Sequence, residues 1–230
     1  MSVTANPGFD AVLFDLDGTL IDTAPDFRAV LHHLCADQGV APPDDAAILA
    51  TVSSGARALV ELAFQLAPGS PGFDTLLQTL LNQYMAQLQE TRSVLFPAID
   101  ELLADLEHHD IPWGVVTNKP ERFCIPLLHK LALDTRCSVL VCPDHVSQTK
   151  PHPEPLLLAC DRLDCAPGRS VYIGDHPRDI EAGNAADMHT IAAAYGYLPH
   201  HPPVSEWGAD HISPTVADIQ QYLGNRHNAN

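Results

Sequence analysis

Basic residues are scarce in this sequence. Lys and Arg number 12 against 29 Asp and Glu, leaving a formal net charge of -17 at pH 7. Such a surface repels nucleic-acid phosphates and anionic lipid headgroups, so neither nucleic acid nor membrane is an expected partner. Long hydrophobic runs are missing too, the longest being far too short to cross a bilayer. Met1 to Asp10 has neither the basic stretch nor the apolar core of a signal peptide, and a cytoplasmic protein is expected. No Cys-x-x-Cys pair occurs among the 6 cysteines, which read as reduced, mostly buried thiols rather than a disulfide or zinc framework. The 13 histidines contain no His-Glu-x-x-His and read as mostly solvated surface residues. Internal repeats and low-complexity tracts are absent.

What is present suits a globular chain. With 230 residues, 46% hydrophobic and 18% charged, it can bury a sizeable core as one domain with a large insertion or as two small domains. The stretch Ala11 to Leu20 organises it. Ala11 to Phe14 is an unbroken apolar run, as in a parallel strand buried on both faces. It ends in Asp15 and Asp17, spaced i, i+2, followed by Gly18 and Thr19. Strand alternation puts both carboxylates on one side, and Gly18 allows a sharp turn behind them. Two carboxylates there repel each other unless a cation sits between them or one stays protonated. The C-terminal end of a buried strand is also where open α/β sheets bind ligands.

From Asp22 to about Glu90 no convincing strand appears. Three apolar stripes at helical spacing run through Phe27 to Leu34, Leu59 to Leu66 and Leu76 to Met85, with breakers at Gly39 to Asp45 and Pro68 to Gly72. Beyond Phe96-Pro97 strands and helices alternate. Strands are expected over Ile111 to Thr117, Ser138 to Cys142, Val171 to Asp175 and Thr190 to Ala194. This predicts an α/β fold, a parallel sheet core with helices on both faces and an inserted all-helical domain. Right-handed crossovers place the strand ends on one edge, so that Asp15, Thr117 and Asp175 converge.

Four pieces stand in order along the chain: Asp15-Leu16-Asp17-Gly18-Thr19, Thr117-Asn118-Lys119, Lys150 before a helix, and Gly174-Asp175-His176-Pro177-Arg178-Asp179. In this order they resemble the motifs of the haloacid dehalogenase superfamily, whose phosphatases use an aspartate nucleophile. The resemblance implies a Rossmann-like core over residues 1–22 and 93–230 and a mobile helical cap over 23–92. It implies Asp15 as nucleophile and Asp17 as general acid and base. Thr117, the N–H of Asn118 and Lys150 would hold the phosphoryl group. Mg²⁺ would be bound by Asp15, the main-chain carbonyl of Asp17 and Asp175, with Asp179 orienting the site from behind. A metal also answers the charge problem, since a strongly acidic protein must capture an anionic substrate with local cations.

His176 departs from the small polar or acidic residue that many relatives carry there; it either faces solvent or contacts a metal-bound water. Ser53-Ser54-Gly55-Ala56-Arg57 has two readings, a helix start capped by serine or a substrate loop in which Gly55 gives room and Arg57 reads an anionic group. Within the superfamily the chain resembles phosphoglycolate phosphatases. More closely still, Trp113 to Pro120 and Cys142 to Val146 resemble the N-acetylmuramic acid 6-phosphate phosphatases of peptidoglycan recycling. The expected partner is therefore a small carboxylated phosphate ester, and the expected assembly a monomer or weak homodimer. A phosphomutase and a dehalogenase of the same fold are the alternatives.

Overall fold

The structure, a computed structural model, describes residues 8–199 and 201–227. Residues 1–7, part of the stretch that lacks signal-peptide features, lie outside the described residues. The chain begins with β1 (Ala11–Phe14) and β2 (Ile21–Asp22), then runs through four helices, α1 (Ala24–Asp37), α2 (Asp45–Val52), α3 (Ala56–Phe64) and α4 (Phe73–Gln87). After β3 (Val94–Leu95) come α5 (Ile99–His108), β4 (Trp113–Val116), α6 (Glu121–Lys130), β5 (Val139–Val141) and α7 (Glu154–Leu163). The last elements are β6 (Ser170–Gly174), α8 (Pro177–Ala185), β7 (His189–Ala193), β8 (His211–Ser213) and α9 (Val216–His227).

Six strands form one sheet in the order β5-β4-β1-β6-β7-β8, every neighbouring pair parallel. Alternation along the central strands decides which helices cover which face. Val12 and Phe14 of β1 and Val171 and Ile173 of β6 join a core with Leu103 of α5, Leu127 of α6 and Ile219 of α9. Leu13 and Tyr172, one residue out of phase, join Leu156 of α7 and Ala182 of α8 on the other face. Both faces are therefore covered, which is why β1 and β4 carry no polar residue. Because β4, β1 and β6 are neighbours, Thr117, Asp15 and Asp175 leave the sheet side by side.

The helical insertion contains four helices, whereas the apolar stripes mark three. α2 leaves no stripe because only Ile48 and Val52 of it are buried, too few to show a period. Its sequence signal is Asp44, whose side chain accepts from Ala47 N at 2.7 Å as an N-cap. α3 ends at Phe64, short of Leu66, because Gln65 takes a left-handed conformation. The short antiparallel ribbon of β2 and β3 is equally silent in the sequence, since a strand of 2 residues has no legible alternation. It sets the two ends of the insertion next to each other.

Asp26, fully buried near the start of α1, ties those ends together. It accepts from Arg92 N at 2.8 Å, Ser93 Oγ at 2.6 Å, Gln87 Nε2 at 3.1 Å and the Thr91 hydroxyl. Among the described residues no helix is long and apolar enough to cross a membrane. Replacing Asp26 by Ala strands these donors in a buried site, so it should lower unfolding free energy by about 3 kcal/mol. Urea denaturation measures this; a change within about 0.5 kcal/mol would show that the cluster does not anchor the insertion.

Candidate active site

The end of β1 is shaped by its backbone. Asp15 N still donates to Ile173 O at 2.8 Å, and then Leu16 O accepts from Leu20 N and Ile21 N, closing a tight loop. Gly18 sits in that loop with φ +84°, where a Cβ would fall 2.1 Å from Asp175 Oδ2. Only glycine lets the loop lie directly against the end of β6.

Asp15, Asp175 and Asp179 meet there, all buried, with one carboxylate oxygen of each within 4.8 Å of the others. Lys150 is buried among them, its Nζ 2.9 Å from Asp15 Oδ1 and 2.8 Å from Asp179 Oδ1. The same ammonium donates to Val116 O at 2.9 Å and Tyr172 OH at 2.7 Å. Three N–H bonds cannot serve four acceptors, and Asp15 Oδ1 and Asp179 Oδ1 are left without an aligned hydrogen bond. Asp175 accepts from Tyr197 N at 2.8 Å, Ser53 Oγ at 2.9 Å and Thr19 Oγ1 at 3.3 Å.

The three acids titrate apart. Burial would raise Asp15, but Lys150 and then Arg178 overcome it and hold the carboxyl below its usual range, ionised. Burial, then Asp15 and Asp179, push Asp175 up to about 8. Asp179 is also raised by burial, against the pull of Lys150. A buried group of three carboxylates with one lysine is short of positive charge. The donor set is all hard oxygen with orphaned atoms, which fits a small divalent cation such as Mg²⁺.

Asp17, with a side chain 15% exposed, stands at the mouth of this cluster. Its Oδ1 accepts from Lys119 Nζ at 2.8 Å and Thr23 Oγ1 at 2.6 Å. Thr23, at the start of α1, thus spends its hydroxyl on the site and not on capping the helix. Lys119 also donates to Tyr84 OH at 2.8 Å and lies over the rings of Phe27 and Tyr84. Burial works against its charge, but Asp17 and the Tyr84 partner raise its pKa, so it is a cation. Thr117 is buried and lines the cavity. Asn118 also lines it and braces Lys150, donating to Lys150 O at 2.9 Å and accepting from Lys150 N at 3.2 Å.

From the insertion, Ser53, Ser54, Gly55 and Ala56 reach the cavity. Neither serine caps α3, whose N-cap is Gly55 with φ +87°. Ser53 bonds Asp175 with its hydroxyl, and its carbonyl accepts from Arg178 Nη2. Arg57 is exposed and does not line the cavity. His176 is the N-cap of α8: its Nδ1 accepts from Arg178 N at 3.3 Å, while its backbone N–H donates to Asp179 Oδ2 at 3.1 Å. Burial and then Arg178 lower it to about 4, leaving a neutral ring. Lys119, Tyr84, Ser53 and Arg178 gain roles here that the sequence pattern does not assign them. Lys119 and Arg178 lie inside motif runs, and charge in a motif is the available signal; Tyr84 has the spacing of ordinary helix packing.

The parallel sheet thus ends in an edge rich in aspartates, with a lysine buried among them. Residues 12–193 match the family model of haloacid dehalogenase-like hydrolases, and the chain belongs to that family as a phosphatase. It is 46% identical over 213 residues to an N-acetylmuramic acid 6-phosphate phosphatase of Pseudomonas putida, covering 93% of this chain and 95% of that protein. To a phosphoglycolate phosphatase of Xanthomonas campestris it is 41% identical over 201 residues, or 87% and 90% of the two chains. A crystal structure described as a predicted phosphoglycolate phosphatase from Haemophilus somnus superposes with TM-score 0.82 at 25% identity, over 93% and 97% of the two chains.

A proton and a cation would compete for the acid cluster. Asp175, raised above its unfolded value, contributes stability at low pH that is lost as the pH climbs towards about 8. A bound cation would reverse that loss. Mg²⁺ should therefore raise Tm more at pH 8 than at pH 6, by roughly 5 °C, in thermal unfolding with and without chelator. An equal or larger shift at pH 6 would mean that the cation binds elsewhere.

Proposed function

We propose that the protein is a Mg²⁺-dependent phosphomonoester hydrolase that works through an aspartyl-phosphate on Asp15. The observation that carries this is a buried, ionised Asp15 beside Lys150 at the head of a cavity that Asp17 also lines. An Asp15 carboxylate oxygen attacks phosphorus, the P–O ester bond breaks, and the departing alkoxide takes a proton from Asp17. Asp17 then takes a proton from water, which attacks the phosphoryl group, releasing phosphate and restoring Asp15. To serve as the acid, Asp17 exchanges Lys119 for the leaving oxygen. Lys150, Thr117 and the N–H of Asn118 stabilise the charge that spreads over the phosphoryl oxygens. Asp15, the carbonyl of Asp17 and Asp175 would hold Mg²⁺, with Asp179 orienting them, and the cation would supply the positive charge that the cluster lacks.

Residues 23–92 act as a cap over the core of residues 1–22 and 93–230. The contacts from Ser53 to Asp175 and from Arg178 to Ser53 support this, since each crosses between insertion and sheet. The substrate we favour is N-acetylmuramic acid 6-phosphate, with phosphoglycolate as the second reading. Relatives at 46 and 48% identity carry the first name and one at 41% the second. Phe27, Leu81, Tyr84 and Phe123 give the cavity apolar walls. A hexose with acetamido and lactyl methyl groups can cover them; the single methylene of phosphoglycolate cannot. The protein acts in the cytoplasm as a monomer or weak homodimer, without nucleic acid or membrane.

Asp15→Asn keeps the shape but removes the attacking charge, and phosphate release should fall at least 1,000-fold, on the order expected when covalent catalysis is lost. Retained turnover in the folded variant would sink the mechanism. Asp17→Asn should lose most on alkyl phosphates and least on p-nitrophenyl phosphate, whose leaving group needs no proton. Equal losses on both would remove Asp17 from the acid role.

A further inference from the structure

The cavity holds one cation with a hydrogen-bonding group that this chemistry leaves unfilled. Lys119 and Arg178 are the cationic side chains that line it among the described residues. Lys119 is held by Asp17, by Tyr84 OH and by two ring faces, and the Tyr84 and ring contacts remain when Asp17 turns to the leaving oxygen. The Arg178 guanidinium has one acceptor, the Ser53 carbonyl, and its Nε is buried without a hydrogen-bond partner. A buried N–H left unmade costs free energy, all the more on a charged group, so this arginine is incomplete until an acceptor arrives.

Its position says what kind of acceptor. Arg178 is held at the first turn of α8 by the contact of its backbone N–H with His176. It precedes Asp179 in the chain, acts electrostatically on Asp15, and reaches the insertion at Ser53. It therefore stands between the phosphoryl end of the cavity and the Ser53 to Ala56 loop. The phosphoryl end already has Lys150, Thr117 and Asn118, together with the acid cluster. What the site lacks is a partner for a second anion. A guanidinium offers N–H groups along a planar edge that match a carboxylate, and it can take one without giving up Ser53.

We propose that Arg178 is a specificity residue that binds the substrate's carboxylate, placing on the core the recognition that the sequence pattern assigns to Arg57 of the insertion. This rests on the reading that the substrate carries a carboxylate beside its phosphate. Because Ser53 shares the same guanidinium, carboxylated substrates are bound where insertion and core meet. Esters without the second anion leave Nε unpaired.

The test compares two substrate pairs, one differing only at the carboxylate and one by the whole lactyl ether that carries it. Phosphoglycolate is set against 2-hydroxyethyl phosphate, and N-acetylmuramic acid 6-phosphate against N-acetylglucosamine 6-phosphate, all with Mg²⁺. The wild type should prefer the carboxylated member of each pair that it hydrolyses. In Arg178→Gln that preference should shrink roughly 30-fold, the scale of a hydrogen bond to a charged group, mainly through KM, and Arg178→Lys should recover part of it. Proportional losses on both members would assign Arg178 to the phosphoryl group or to the fold and overturn the proposal. A wild type without preference would overturn it too, whatever the folding of the variants.

Binding gives a readout free of turnover. In an Asp15→Asn background, phosphoglycolate should raise Tm more than 2-hydroxyethyl phosphate does, and adding Arg178→Gln should abolish the difference. If no ester releases phosphate, the hydrolase reading fails, and this binding comparison still decides the role of Arg178.

Discussion

The contact of Lys150 with Asp15 and Asp179 is the interaction on which the rest depends. Carboxylates buried at adjoining strand ends are unstable as a group, because burial and mutual repulsion both oppose their charge. One buried ammonium, 2.9 and 2.8 Å from two of them, makes the arrangement tolerable. It also divides the acids by role. Lys150 and Arg178 outweigh burial at Asp15, which stays ionised, whereas Asp175 is driven up to about 8. The same shortage of positive charge that strains the cluster makes it receptive to a cation and to nothing anionic alone.

The surroundings hold this lysine still. Val116 O and Tyr172 OH fix its ammonium, and Asn118 clasps its backbone from both sides. Those partners come from the ends of β4 and from β6, so the geometry of the sheet becomes the geometry of the charges. Gly18 transmits the packing in the other direction, because no side chain fits between its Cα and Asp175.

A protein of net charge -17 must bind anions with a few well-placed cations. The cations at this site are Lys150, Lys119 and Arg178, each in a different relation to the insertion. Lys150 belongs wholly to the core. Lys119 meets the insertion through Tyr84 and Phe27, and Arg178 through the Ser53 carbonyl. The insertion thus contributes to the electrostatics of the cavity as well as to its walls. Asp26 and the β2–β3 ribbon hold the two chain crossings together beneath it.

Strong local signals make the central site legible in the amino-acid sequence alone. The apolar run of β1, the Asp15 and Asp17 pair with Gly18, and carboxylate or hydroxyl groups closing later strands depend on short-range pattern, and alternation of strands and helices fixes which edge they share. The stripes of α1, α3 and α4 are readable for the same reason, although α2 and the β2–β3 ribbon are too short or too little buried to leave a period. Tertiary structure decides everything that rests on one side chain finding another far along the chain. Ser53 has the spacing of a cap but is a partner of Asp175, His176 caps α8 through Nδ1, and Arg178 lines the cavity where Arg57 does not. Sequence spacing tells which face of an element a residue takes, but not which distant donor lacks an acceptor once insertion and sheet have met.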